Sequence, residues 1–412
     1  MSRGRIDVRA RLVLSEHPDV ETPMPQSDPK MWANSGDSHL FEPFDLFDAL
    51  PEDIRERMPR SVRDPSGDFE TIYVDGAVFR RDLPRPSNGA PREPGLRVTA
   101  RPEDSSDDDF LLRALGGNDP EHRLEDLDAE GIWGEVIYPS LGIWSFNIRT
   151  PRVAKAGARA LNEWALAFQQ RSPRFVCAAS IPLVDVDDAV AELRWAAGAG
   201  FHCAFLPVQP PAGRPDWRDE AWEPLWHAFA ETGAVLGFRI GTEPQDPTGR
   251  IGVYFRGRGG AVLNYVETSY GGQRAVTQLI ACGALDRYPD LRVLVSEGGA
   301  TWGPFLADRM DEGYRQHGAG VRPKLSRLPS EYIYERVYAS FQHDASAVKA
   351  CTAMGWQNVM WGSDYPHFEG TFGHTQETLH RLFDGVDERA SRRIRVGAFE
   401  ELFPHVPPAP AS

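Results

Sequence analysis

Residues 292–310 read RVLVSEGGATWGPFLADRM. Val293, Leu294 and Val295 form a short apolar, β-prone run, and Gly298 and Gly299 end it just after Glu297. Trp302, Phe305, Leu306 and Met310 then recur at i, i+3, i+4 and i+8, the face of a helix. A strand apolar along both faces is buried on both, which is the condition of a parallel sheet wrapped by helices. The unit is therefore strand, acid-bearing turn, helix.

The same unit recurs along the chain. Further strand-like runs are ANSGDSHL (33–40), EVIYPS (135–140), FVCAASIPL (175–183), CAFLPV (203–208), AVLGFRIG (234–241), VYASFQHD (337–344) and NVMWGSD (358–364). Helical spacing follows at Leu161, Trp164 and Phe168, and again at Val276, Leu279, Ile280 and Gly283. Eight such units predict a (β/α)8 TIM barrel. A doubly wound sheet is the alternative, but DSHLFEP (37–43) carries no glycine-rich first turn. The barrel is expected over 32–405, behind an N-terminal arm (1–31) and before a short C-terminal tail (406–412). An insertion at 61–118, with a β-hairpin around ETIYVDGAVFRR (70–81), is expected to cover the barrel mouth. A second irregular stretch, 242–260, follows the fifth strand.

Composition narrows the function. Among 412 residues, 60 acids against 45 Lys and Arg give a net charge of −15, which disfavours nucleic acid and anionic membrane as partners. No run approaches the roughly 20 apolar residues of a membrane span. The first 30 residues carry no apolar secretory core. Four scattered cysteines without a CxxC pair suit a reduced, cytoplasmic protein.

Catalysis in a barrel sits where the strands end. The ends carry Asp37, His39 and Glu42; Tyr138 and Ser140; Arg239; Glu297; Gln342, His343 and Asp344; and Asp364 and His367. A buried charge is costly without a partner or a metal, so this density points to a polar site. Asp37 and His39, two apart on an extended strand, face the same way. Imidazole with the carboxylates Asp37, Glu297 and Asp364 suits a divalent ion of Zn, Mn or Fe type. His202, before its strand, and His227, within a helix, read as packing residues. Tyr138, Trp144, Phe146 and Tyr254 are aromatic candidates for stacking on a planar small-molecule substrate.

In DSHLFEPFDL (37–46), RLEDLDAEGIWGEVIYPSLG (123–142), YPDLRVLVSEGGATWGPFLADRMDE (288–312) and NVMWGSDYPHFEGTF (358–372), the chain resembles the amidohydrolase superfamily. The branch it resembles contains aminocarboxymuconate semialdehyde decarboxylase and γ-resorcylate decarboxylase. The resemblance implies one divalent metal, Zn or sometimes Mn, held by an acid-x-His on strand 1, a strand-5 His and a strand-8 Asp. Here these positions are Asp37, His39 and Asp364, while Arg239 stands in the strand-5 place. Arginine stays protonated and ligates no cation. Glu297 stands where the decarboxylases carry a histidine, and VGAFEELF replaces a usual Gly-Asn-Ala.

Three arrangements are open. A metal is held by His39, Asp37, Asp364 and Glu297, with His343 a substitute; or Arg239 pairs with Asp364 or Glu297 in a metal-free pocket; or Arg239 clamps a substrate carboxylate. The expected activity is metal-assisted hydrolysis or decarboxylation of a small aromatic or cyclic carboxylate, amide or ester. Asp364, Glu297, Arg239 and His343 are the catalytic candidates, and Arg239 and His367 contact substrate. The alternatives are a cyclising or dehydrating enzyme of aromatic natural-product synthesis and a non-catalytic binding barrel. The resemblance also implies a homodimer.

Overall fold

A computed structural model describes residues 30–63, 69–82, 115–242, 255, 257–367 and 370–411. The expected strands form in order: β1 (Ala33–Ser35) with its short continuation β2 (His39–Leu40), then β6 (Ile132–Pro139), β7 (Phe175–Ser180), β8 (Cys203–Pro207), β9 (Val235–Arg239), β10 (Val293–Ser296), β11 (Val337–Phe341) and β12 (Val359–Trp361). Each pairs in parallel with the next. The ring is closed by backbone bonds between its two ends. Gly36 donates to the Trp361 carbonyl (2.8 Å), Asp364 to Asp37 (2.9 Å) and His39 to Tyr365 (2.7 Å). Sequential order and closure exclude the doubly wound sheet.

At this seam Gly36 has no room for a side chain: an added Cβ would lie 2.6 Å from the Met360 sulfur and 2.9 Å from Ser340 Cβ. Ser35 and Ser363, 328 positions apart, bring their hydroxyls to 3.0 Å.

Helices cover the strands outside: α1 (Pro120–Glu130), α2 (Pro151–Gln169), α3 (Val186–Ala199), α4 (Glu223–Thr232), α5 (Gly260–Ala281), α6 (Trp302–Gln316), α7 (Ala345–Met354) and α8 (Thr375–Phe383). Their ends follow local chemistry. Asp119 and Asp185 cap α1 and α3 by accepting from the first backbone N–H groups, and left-handed Gly131 and Gly200 close the same helices. Among the described residues no helix is long and apolar enough to cross a membrane.

The insertion forms an antiparallel sheet, β3 (Arg60–Arg63), β4 (Phe69–Val74) and β5 (Ala77–Asp82). Asp75 and Gly76, at φ 47° and 80°, make the turn between β4 and β5. An Asp-Gly pair with both φ positive suits a tight hairpin. Asp75 also accepts from the backbone N–H groups of Arg149 (2.7 Å) and Thr150 (3.0 Å), so it caps α2 from outside, while Arg57 pairs with it at 2.7 Å. This fixes the hairpin on the mouth side. The 1–29 part of the expected arm, and most of 83–118 and 242–260, lie outside the described residues. The 406–411 segment folds onto the barrel, where the Pro407 carbonyl accepts from Trp133 Nε1 at 2.7 Å.

Candidate active site

Four expected residues meet inside the ring. Ligand atoms of Asp37, His39, Glu297 and Asp364 all lie within 4.8 Å of one another, and His39, Asp364 and His367 form a second such group. Asp37 and His39 come from the seam between β1 and β2, Glu297 directly follows β10, and Asp364 and His367 occupy the turn after β12. Asp37 and His39 do point the same way, with Oδ2 and Nε2 3.9 Å apart.

Arg239, the last residue of β9, lies among the acids. Its Nη2 contacts Glu297 Oε2 and lies 3.4 Å from Asp364 Oδ1, and its Nε lies 3.7 Å from Asp37 Oδ1. Nη1 donates to the Ile240 carbonyl at 3.1 Å. The guanidinium is thus engaged by protein oxygens on several sides.

Glu297 and Asp364 share a backbone peculiarity: both are left-handed, with φ of 60° and 54°. Such a conformation costs on the order of 1–3 kcal/mol in a residue other than glycine and gathers at functional sites. At Glu297 the Ser340 hydroxyl holds the backbone N–H at 2.9 Å.

Two imidazoles stack at the seam. His39 and His367 have ring centroids 3.8 Å apart and planes inclined by 15°. His39 Nε2 lies 3.3 Å and His367 Nδ1 2.9 Å from Asp364 Oδ1. Burial, then the charges of Arg239 and His367, hold the His39 imidazole well below its usual pKa, against the pull of Asp364. That shift favours the neutral imidazole, the form that ligates metals.

Two features fit these residues to a divalent ion. Asp364 Oδ2 is buried and accepts no hydrogen bond among the described residues. Asp37, Glu297 and Asp364 also set three carboxylates against one guanidinium, a surplus of negative charge that a buried dication balances.

Surrounding residues set this geometry. Arg123 of α1 is fully buried, pairs with Glu135 on β6, and donates to the His39 carbonyl at 2.8 Å and the Gly116 carbonyl at 3.0 Å. Its guanidinium lies 4.8 Å from the centre of the Tyr365 ring, and the Tyr365 hydroxyl donates to Asp126. Glu42 accepts from the N–H groups of Leu141 (2.9 Å) and Gly142 (2.7 Å), anchoring the 3-10 turn Gly142–Asn147. Burial raises the Glu42 pKa, and those backbone donors oppose the rise. Trp144 of that turn meets Phe79 of the hairpin with centroids 5.4 Å apart, and Phe146 packs on Phe205 at 5.2 Å. Sequence reading singled out neither Arg123 nor Phe79. Arg123 lies on an outer helix, and Phe79 reaches the mouth only through the docked hairpin.

One candidate is enclosed and one falls elsewhere. Tyr138 lies beside His39, ring centroids 6.3 Å apart, but is fully buried, and its hydroxyl lies 2.7 Å from Ser296 Oγ. His343 is exposed beside His374, ring centroids 6.2 Å apart, and belongs to neither donor group. Tyr254 lies outside the described residues.

No curated protein matches the chain significantly. Among solved structures, it is similar to an amidohydrolase of Mycobacterium avium subsp. paratuberculosis K-10, with 18% identity and TM-score 0.71 over 91% of this chain and 100% of that one. It is similar to 5-carboxyvanillate decarboxylase of Sphingomonas paucimobilis, with 17% identity and TM-score 0.62 over 91% and 99%. A third is a dihydroxybenzoic acid decarboxylase of Polaromonas sp. JS666 with bound manganese and the inhibitor 2-nitroresorcinol, at 16% identity and TM-score 0.58 over 90% and 97%. At these identities the likeness is one of fold. The sequence profile described as amidohydrolase matches residues 148–404, more than half of the chain, and the chain belongs to the amidohydrolase family.

Proposed function

We propose that this enzyme acts on a small aromatic carboxylate with the help of one divalent metal, Mn or Zn, and that it removes the carboxyl group as CO2. The observation that carries the metal is the buried convergence of His39, Asp37 and Asp364, with Asp364 Oδ2 left without a hydrogen-bond donor among the described residues. The decarboxylase structures of the same fold, one of them with manganese, support the substrate class and the reaction. A bound ion would supply Lewis-acid polarisation of a substrate oxygen.

His39, Asp37 and Asp364 hold the ion. Glu297 is the most open of the four, its side chain 9% exposed against 2% or less for the others, and it moves the proton to or from the ring carbon. Arg239 fixes Glu297 and Asp364 rather than clamping substrate. Trp144 and Phe146, with Phe79 across from Trp144, form the aromatic wall. Decarboxylation breaks one carbon–carbon bond, leaves its electron pair on the ring carbon, and ends when a proton reaches that carbon.

Hydrolysis is the second reading, favoured by the family itself and by a carboxylate, Glu297, able to take a proton from water. The family match and the buried acids support an enzyme over a non-catalytic barrel, and no feature of the site favours cyclisation. Four free cysteines suit a reducing compartment, and a homodimer belongs to the same reading. Hydroxybenzoates and aromatic amides or esters offered to metal-loaded protein separate the reactions. CO2 release from the carboxylates is expected; turnover of amides or esters alone would replace decarboxylation with hydrolysis.

A further inference from the structure

We propose that Gln209 holds the far end of the substrate: its side-chain amide donates to a neutral oxygen, a hydroxyl or methoxy, at a ring position remote from the carboxylate. This rests on the substrate class given above and narrows it.

Gln209 stands just past the end of β8, where the strands open into the mouth. In the strand order of the ring β8 is fourth and β12 eighth, so the exits of these two strands face each other across the barrel. Asp364 thus lies on one side of the mouth and Gln209 on the other. Pro207 pairs with Arg239 in the parallel register, and Gln209 lies two residues further toward the mouth. Gly237 shows which way β8 faces. A Cβ added there would lie 3.0 Å from the enclosed Tyr138 hydroxyl, 3.4 Å from Phe205 Cβ and 3.5 Å from Cys203 Sγ. The odd residues of β8 therefore face the interior, with Phe205 against Phe146 of the aromatic wall, and Gln209 continues that side.

The amide is unsatisfied. Gln209 is only 8% exposed, yet its Nε2 reaches no acceptor among the described residues. A buried donor left without an acceptor weakens the fold. The backbone beside it is nonetheless fixed. The Thr242 hydroxyl donates to the Arg239 carbonyl at 2.6 Å and accepts from the Val208 N–H at 3.1 Å, which ties the exits of β8 and β9 together. A firmly placed donor that the fold leaves unused is what a substrate oxygen completes.

Charge decides which oxygen. The amide is neutral, and the Arg239 guanidinium is engaged by Glu297 and Asp364. A second carboxylate on the ring would be buried there without a cation. A hydroxyl or methoxy oxygen asks only for one donor. The interior of an eight-stranded barrel holds one small ligand, which spans from one side to the other.

The experiment uses Mn(II)-loaded full-length protein and the variants Gln209→Met and Gln209→Leu. Calorimetric titration measures the binding of 3- and 4-hydroxybenzoate, the matching methylbenzoates and terephthalate; melting temperatures are read without ligand. The wild type should bind one of the hydroxybenzoates at least about tenfold more tightly than its methyl counterpart and than terephthalate. In both variants that preference should shrink to within about threefold, and at least one variant should melt no lower than the wild type, since the unused donor is gone. Equal affinities in the wild type, or a preference kept in both variants, overturn the assignment of Gln209 alone. Lower melting temperatures in both variants do the same, because the amide would then serve the fold. Failure of the wild type to bind any of these benzoates overturns the aromatic-carboxylate reading together with it.

Discussion

Arg239 Nη2 contacts Glu297 Oε2 and lies 3.4 Å from Asp364 Oδ1, so one guanidinium joins β9 to the acid after β10 and to the turn after β12. All three groups are buried or nearly so. Arg239→Met leaves three carboxylates without their counter-ion, and breaking a buried pair costs roughly 3–5 kcal/mol. Urea denaturation should show this loss, and added Mn(II) should offset part of it by supplying charge to the same acids. An unchanged midpoint in Arg239→Met would show that the acids do not depend on it.

Metal removal gives a second expectation. Chelation followed by dialysis should abolish turnover, and Mn(II) or Zn(II) should restore it. An ion present at 100 times its dissociation constant stabilises the folded state by about 2.7 kcal/mol, so the melting temperature should also fall on removal. Full turnover by protein shown to be metal-free contradicts the proposed function.

Arg123 permits a separation of stability from site geometry. Arg123→Met leaves Glu135 buried and unpaired and should cost roughly 3–5 kcal/mol. The double variant Arg123→Met, Glu135→Met should recover much of that stability, since a buried pair is replaceable by apolar side chains. It still lacks the bond to the His39 carbonyl, so its metal affinity should remain below wild type. Recovery of both together would show that Arg123 serves stability only.

His202 and His405 stack with centroids 3.5 Å apart, away from the active site. Burial, and then the charge of His202, push His405 down to about 4, and burial lowers His202 as well. Between pH 6.5 and about 4 the unfolded chain therefore binds more protons than the folded one, and stability falls as the pH is lowered through that window. Both rings are partly exposed, so the effect is on the order of 1 kcal/mol. Melting temperatures at pH 7 and pH 5 should differ less in His405→Asn than in the wild type.

The barrel was legible because each strand is a short apolar run closed by glycine, proline or a charge. The period of two also placed Asp37 with His39. The enclosure of Tyr138 was not legible because its surroundings come from other strands. Gly237 on β9 leaves the space that its hydroxyl occupies, with an added Cβ only 3.0 Å away, and no local window shows that. His343 follows from parity: Ser340 reaches inward to Glu297, so Gln342 shares its side and His343 turns out. Arg239 was visible as a departure, but its contact with Glu297 is a relation between distant segments. The left-handed backbone at Glu297 and Asp364 left no trace in residue type, since a glutamate rarely adopts it.

The seam between β1 and β12 has a consequence for synthesis. The residues proposed to hold the ion come from the first and last staves of the barrel, which meet where Ser35 contacts Ser363 across 328 positions. A nascent chain leaving the ribosome holds Asp37 and His39 on an open rim until the final stave arrives. With the proposed ligands, capture of the ion waits for the last stave, and a product cut short before Asp364 lacks one of them.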